Sequence, residues 1–186
     1  MEQHGIVLQK AVTINKMKMK TIYNILLLSI ISTITFAQVS IGKNTVDGTS
    51  TIMDFQESTT NGIILPAVNT TPTYNSATNN GTFIFDLVDN KVKMYENESW
   101  ENLSEAGSKP TQLNTSTEIG DGVIIGSETT DAIGVLVLES DSKALILPKV
   151  DQPEVNVKSP YPGMICYDKI SKSLAVFDGK VWNYWK

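Results

Sequence analysis

Short apolar runs separated by turn residues recur along most of the chain. Two of them, residues 62–65 and 144–147, each end at a proline, Pro66 and Pro148. Proline lacks the N–H that a strand ladder uses, so it closes a strand. Short runs bounded by turn residues predict strands, and no segment after residue 37 has sustained helical spacing with caps. We therefore expect an all-β fold with almost no helix.

Three further pairs of segments predict strands through alternation or unbroken apolar runs. Gly81 and Gly163 lie in turn signals that open the second pair, and Asp86 and Asp168 follow it, where Asx turns are favourable. The third pair is the return strand of a hairpin. The segments are residues 50–56 and 133–139, 82–85 and 164–167, and 92–95 and 174–177.

An internal repeat organises these strands, because a shift of 82 residues superimposes them. Between residues 57 and 102 the shift gives 9 identities in 46 pairs, where chance would give about 3. The identities include Pro66 with Pro148, Gly81 with Gly163, Asp86 with Asp168, and Trp100 with Trp182.

Duplication predicts the domain organisation. We expect two tandem homologous β-rich repeats, small sandwich or prism-like units, at residues 38–103 and 118–186. Residues 104–117 are polar with a glycine and a proline, which predicts a linker.

The N-terminal segment reads as an export signal. Lys18 and Lys20 precede an apolar stretch at residues 25–31, and Ala37 is a small residue suited to cleavage. The apolar run is too short for a stable membrane span. Residues 1–37 are therefore predicted to be an upstream extension and a cleaved signal peptide. Export leaves the extracellular space, the cell surface and the periplasm open as destinations.

Charge and composition exclude several classes of protein. The chain has 15 Lys, no Arg and 20 acidic residues, a net charge of −5. Removing residues 1–37, which carry four Lys and one Glu, lowers it to −8 and removes the single histidine, His4. An acidic surface disfavours nucleic acid and anionic membranes. We expect no enzyme activity, no cofactor and no metal site.

Two residue types leave a structural and a functional interpretation open. Trp100 and Trp182 are either anchors of the hairpin core or surfaces for sugar stacking, and their shared repeat position favours anchors. Tyr184 and Trp185 pair with Asn102 and Leu103, so the repeat does not require aromatic residues there. They either form a ligand or subunit contact together with Trp182, or pack as a final strand.

Two other candidates favour structure over chemistry. Cys166 is the only cysteine and lies in an apolar strand. It is expected to be buried, with an intermolecular disulfide as the alternative. Asp86, Asp89 and Asn90 are spaced as turn residues and lack the pattern of a calcium-binding loop.

The full pattern is Ile-Gly, a strand, Glu-Ser, an apolar run with Leu-Pro, Gly-x-x-x-Phe/Tyr-Asp, a return strand, a turn and Trp. It resembles repeats of secreted Bacteroidota-type surface proteins, which are similar to phage tail-fibre and trimeric fibre-head modules. Those repeats usually carry Arg after Leu-Pro, where this chain has Ala67 and Lys149.

The resemblance implies an extracellular or cell-surface structural protein, an adhesion or fibre component that is not an enzyme. It implies self-association, with a homotrimer favoured, or contact with a surface glycan or protein. The alternative is a monomeric module that binds carbohydrate bivalently through its two repeats.

Overall fold

The computed structural model describes residues 15–24, 38–113, 116–117, 119–120 and 122–186. Residues 15–24 form a helix, α1, which belongs to the first of two compact units, Met1–Phe36; the second is Ala37–Lys186. The apolar stretch and cleavage site of the predicted signal peptide, within residues 25–37, lie outside the described residues. None of the helices described is long and apolar enough to cross a membrane.

The prediction of an all-β fold is confirmed. After residue 37, the described helices are two single turns, α2 (Ser76–Asn79) and α3 (Pro153–Asn156). The strands are β1 Val39–Ile41, β2 Thr51–Phe55, β3 Ile63–Ile64, β4 Ala67–Val68, β5 Phe83–Asp86, β6 Lys91–Glu96, β7 Ser99–Asn102, β8 Val123–Ile125, β9 Leu136–Leu138, β10 Ala144–Leu145, β11 Lys149–Val150, β12 Met164–Asp168, β13 Ser173–Phe177 and β14 Trp182–Trp185.

Two sheets share one topology. Sheet 1 has the order β4-β5-β6-β7, and sheet 2 has the order β11-β12-β13-β14. In both, the first pair is parallel and the others antiparallel. Apart from one pair at an end of the last hairpin in each sheet, the residue pairs along this strand order in sheet 2 are those of sheet 1 with 82 added: Ala67 opposite Phe85, for example, becomes Lys149 opposite Tyr167.

Each of the two prolines follows one short strand, and its carbonyl accepts the first hydrogen bond of the next parallel pair. The N–H of Phe85 donates to the carbonyl of Pro66 at 2.8 Å, and that of Tyr167 to Pro148 at 2.9 Å. Proline keeps its carbonyl as an acceptor although it has no N–H to donate. The chain therefore resumes directly after each proline as a two-residue parallel strand, β4 or β11, which the sequence analysis did not predict.

Two smaller sheets are entirely parallel. β1 pairs with β2, which also pairs with β10. β8 pairs with β9 in the same way, over three residue pairs, with Val123 opposite Leu136 where the first sheet has Val39 opposite Met53.

Strands from the two ends of the chain interleave. β3 joins sheet 2 by pairing with β12, and β10 joins the sheet of β1 and β2. The N–H of Leu65 also donates to the carbonyl of Gly163 at 3.0 Å. Each predicted repeat therefore completes a sheet with a strand from the other, while the repeat boundaries stay a prediction.

The segment predicted as a linker packs against sheet 2. Ser104, Gly107 and Pro110 are buried, and the N–H of Ser108 donates to the carbonyl of Asp178 at 2.8 Å. A Cβ on Gly107 would lie 1.8 Å from that same carbonyl oxygen, so only glycine allows this close approach.

The main core lies between sheets 1 and 2. It combines side chains from both predicted repeats, and burying each one contributes roughly 1.5–3 kcal/mol. Its buried members are Leu65, Phe85, Val92, Leu103, Ile165 and Val176. A smaller cluster of Val150, Cys166 and Ala175 lies on sheet 2.

Candidate functional site

The predicted contact residues lie on β14, the last strand of sheet 2. Trp182 and Tyr184 stand opposite Phe177 and Ala175, and alternation places Trp185 on the other face of the sheet. Tyr184 is 41% exposed and Trp185 is 47% exposed. The three aromatic residues therefore do not form one platform.

Hydrogen bonds fix the polar tips of both exposed rings. The Tyr184 hydroxyl donates to Glu154 Oε2 at 2.5 Å, and the Trp185 indole N–H donates to the carbonyl of Leu103 at 2.6 Å. Burial, then the neighbouring Glu154 carboxylate, raises the pKa of Tyr184 well above its ordinary value. The exposed ring faces are held in place, which limits the entropy lost when they bind a flat apolar surface.

Both repeat tryptophans pack on the aromatic residue of their return strand. Trp100 lies 5.3 Å from Tyr95 and 5.7 Å from Tyr74 between ring centroids, and its N–H donates to the carbonyl of Pro72 at 3.1 Å. Trp182 lies 5.3 Å from Phe177. These contacts agree with the anchor interpretation.

In the acidic turn after β5, the ammonium group of Lys93 on β6 occupies the space between the two carboxylates. Lys93 Nζ lies 2.7 Å from both Asp86 and Asp89, and the N–H of Val88 donates to Asp86 at 2.8 Å. Burial alone would raise the pKa of Asp86, but the Lys93 ammonium and the Val88 N–H together hold it below its ordinary value. The arrangement compensates both carboxylates and stabilises the turn.

The equivalent turn of sheet 2 uses a different partner. Asp168 is 3% exposed and accepts the backbone N–H groups of Gln152, Ile170 and Ser171 at 3.0–3.1 Å. Burial alone would raise the pKa of Asp168, and the Ser171 hydroxyl and these N–H groups lower it. The aspartate recurs in both sheets, while the group that neutralises it does not.

Sequence analysis missed a buried ion pair on β2. Asp54 is 1% exposed and pairs with Lys43, which also lies 2.9 Å from Asp47. The N–H of Asp47 donates to Asp54 at 2.9 Å, closing the loop between β1 and β2. The available signal was Asp54 within the predicted strand 50–56, because a carboxylate buried there needs a cation or several hydrogen-bond donors.

Cys166 has no exposed surface and forms no disulfide. Burial, with contributions from Asp168 and Glu154, raises its pKa to about 12. The thiolate needed for nucleophilic attack or metal binding is therefore strongly disfavoured. No group of three or more His, Cys, Asp or Glu suited to a metal ion occurs among the described residues.

Taken together, the described side chains provide buried structural carboxylates and two exposed ring faces on β14. Comparisons of the chain with protein-family models, curated proteins and solved structures find no match.

Proposed function

We propose that this chain is an exported structural and interaction protein, a fibre-like adhesion module at the cell surface that acts without catalysis. The observation that carries the proposal is the interleaving of β3 with β12 and of β10 with β2. Strand exchange of this kind ties distant parts of the chain together by backbone hydrogen bonds, which suits a protein that must hold its shape outside the cell.

The chemistry of the side chains supports a structural role. Asp86 and Asp168 are held in turns, and Cys166 is buried with a raised pKa. An enzyme needs a nucleophile or an acid–base pair that reaches its substrate. The two aspartates instead stabilise turns at strand ends, and the Cys166 thiol is enclosed within β12.

The N-terminal pattern and the resemblance to fibre-head repeats support export and self-association. A second copy of the chain, with a trimer favoured, is the first candidate partner, and a surface glycan or protein is the second. The destination is proposed to be the cell surface, with the periplasm as the alternative.

Protease treatment of intact source cells, combined with mass spectrometry of the chain's N-terminus, tests the proposal. The full chain, tagged at its C-terminus, is expected to begin at Gln38 by mass spectrometry and to be cleaved when protease is added to intact cells. A cytoplasmic protein of the same cells serves as the lysis control. A chain that keeps residues 1–37, or is cut only after the outer membrane is opened, would contradict the proposed location.

The exposed ring faces of Tyr184 and Trp185 support a second function, carbohydrate binding, while their counterparts Asn102 and Leu103 supply no matching rings for a second site in the first repeat. Flat rings with fixed polar tips suit stacking on sugars. On this function, Trp185→Ala abolishes binding on a glycan array and leaves the melting temperature nearly unchanged. Wild-type protein that binds no glycan, or a variant that loses its fold, would remove the support for this function.

A further inference from the structure

β2 and β9 hold the same place in two related parallel pairs, but they differ in their neighbours. Each pairs with the strand before it over three residues, β1 or β8. β2 also pairs with β10 along its second edge, where the N–H of Ala144 donates to the carbonyl of Ser50 at 2.7 Å. Within the described part of the chain, no strand lies along the second edge of β9.

Exposure follows this difference in pairing. On β2, Ile52 is 1% exposed and Met53 is 5% exposed. On β9, Leu136, which takes the place of Met53, is 44% exposed, and Val135 directly before it is 51% exposed. The apolar side chains of these two β2 residues are thus buried, and those at the equivalent positions, on and just before β9, are exposed to solvent.

A contact between a glycine and an aromatic ring is also present in one repeat and missing at the equivalent position of the other. Phe85 is 0% exposed beneath Gly163, whose Cβ would lie 3.0 Å from it. A shift of 82 residues relates Phe85 to Tyr167 and Gly163 to Gly81. Tyr167 is 36% exposed, and a Cβ on Gly81 would meet nothing within 4 Å.

The contact between the two predicted repeats therefore uses a different surface on each side. The first repeat contributes the edge of β2, β3 and Phe85, and the second contributes β10, β12 and Gly163. Such a heterologous contact leaves one unused surface of each kind, and a further unit can add at both ends.

We propose that a second copy of this chain occupies these surfaces, joined head to tail by the contact that already joins the two predicted repeats. Residues 62–64 of one copy lie along β9 of the other, and Gly81 covers Tyr167. The inference rests on the self-association in the proposed function and names the surfaces that associate.

One described contact lies just before β9, at Ile133. The Asn79 side-chain amide donates to the carbonyl of Ile133 at 3.2 Å. A carbonyl oxygen has two lone pairs, so this bond leaves capacity for an N–H from an added strand. The apolar edge strand that remains is the kind of surface that proteins cover by association.

Cysteine cross-linking tests the pairing residue by residue. Ile64 stands opposite Met164 in the sheet, so the equivalent contact between copies joins Ile146 to Thr82. In the full chain with Cys166→Ala, the pair Thr82→Cys and Ile146→Cys is expected to give disulfide-linked dimers and larger species on oxidation. The matched pair Ile64→Cys and Met164→Cys is expected to close within one chain. A product of monomer size alone from the first pair would overturn the proposal.

Solution mass provides a second readout that does not depend on cysteine. Light scattering of the full chain is expected to give at least twice the chain mass of 20.4 kDa. Leu136→Lys is expected to reduce the mass to that of one chain, because it places a charge on the added edge. Val88→Lys, at a residue that is 75% exposed in the turn after β5, is expected to leave the mass unchanged.

A single-chain mass for the wild type, or an assembly that Leu136→Lys leaves intact while its circular dichroism matches wild type, would overturn the head-to-tail contact. Protease treatment of intact cells would still test the proposed function independently of either result. Failure of the inference is thus distinguishable from failure of the function.

Discussion

Asp86 ends β5 with its carboxylate 5% exposed, and the ammonium of Lys93 lies 2.7 Å away on the adjoining strand. Asp168 holds the equivalent position with backbone N–H groups because the residue equivalent to Lys93 is Ala175. A buried carboxylate needs compensation, and it can come from a charge or from several donors. The aspartate and its turn could be predicted from the sequence, but the choice of partner could not, since it depends on the opposing strand.

Replacing Lys93 by Met is expected to destabilise the protein by about 2 kcal/mol, because it leaves the Asp86 carboxylate buried without a cation. Urea unfolding measures this loss. Lys91→Met, two residues away on β6, is the matched control and should change the free energy of unfolding by less than about 0.5 kcal/mol. Equal effects of the two variants would show that Lys93 does not compensate Asp86.

Cys166 is expected to resist a thiol-specific reagent in the folded protein at pH 8 and to react at once in urea. Burial excludes the reagent, and the raised pKa keeps the thiol protonated. The measurement is the rate of thiol modification followed by absorbance. Fast modification of the native chain would contradict the buried position.

At the scale of elements, the strands that carry an apolar run were predictable, and β4 and β11 were not. The return strands at residues 92–95 and 174–177 lie within β6 and β13. β4 and β11 are too short for any periodic pattern to mark them, and they form because Pro66 and Pro148 present carbonyls to the neighbouring strand. Parallel pairing depends on a distant partner, which local pattern does not encode.

Close packing of the segment after β7 gives a test at this scale. Gly107→Ala is expected to lower the free energy of unfolding by several kcal/mol, since its Cβ would overlap the Asp178 carbonyl at 1.8 Å. In a chain of this size, about 1 kcal/mol shifts the melting temperature by roughly 2–4 °C. Differential scanning calorimetry should therefore show a drop of several degrees.

The matched control is Gly134→Ala, whose Cβ would meet Val137 at an ordinary 3.5 Å. It is expected to leave the melting temperature nearly unchanged. If Gly107→Ala were as stable as this control, the segment would not be docked against sheet 2 in solution.

For the whole molecule, the buried carboxylates predict how stability depends on pH. Asp54, Asp86 and Asp168 have pKa values below the ordinary value in the folded chain. The stability they contribute is full above about pH 4, the ordinary range of the unfolded group, and is lost as pH falls through their lowered values. Urea midpoints should therefore stay nearly level from pH 6 to about pH 4 and fall from there to pH 2, and a profile that stays flat to pH 2 would contradict the three assignments.

The arrangement of the whole molecule was the least predictable level. A shift of 82 residues indicated which segments are alike, and sheets 1 and 2 repeat each other's pairings. It did not indicate that β3 and β10 would cross to the other repeat's sheet, because likeness between segments carries no information about which of them touch. Tyr184 and Trp185 could be singled out from the sequence because the equivalent residues of the first repeat, Asn102 and Leu103, are not aromatic.

Interleaving also constrains when this protein can fold. β2 waits for a partner 93 positions later in the chain, since Thr51 pairs with Ala144. Contacts between residues this far apart raise the contact order and slow folding. A polypeptide emerging from the ribosome cannot complete the sheet of β1, β2 and β10 until most of its length has been made. A chain that stays unfinished for most of its synthesis is well suited to passage through a narrow translocation channel before it folds.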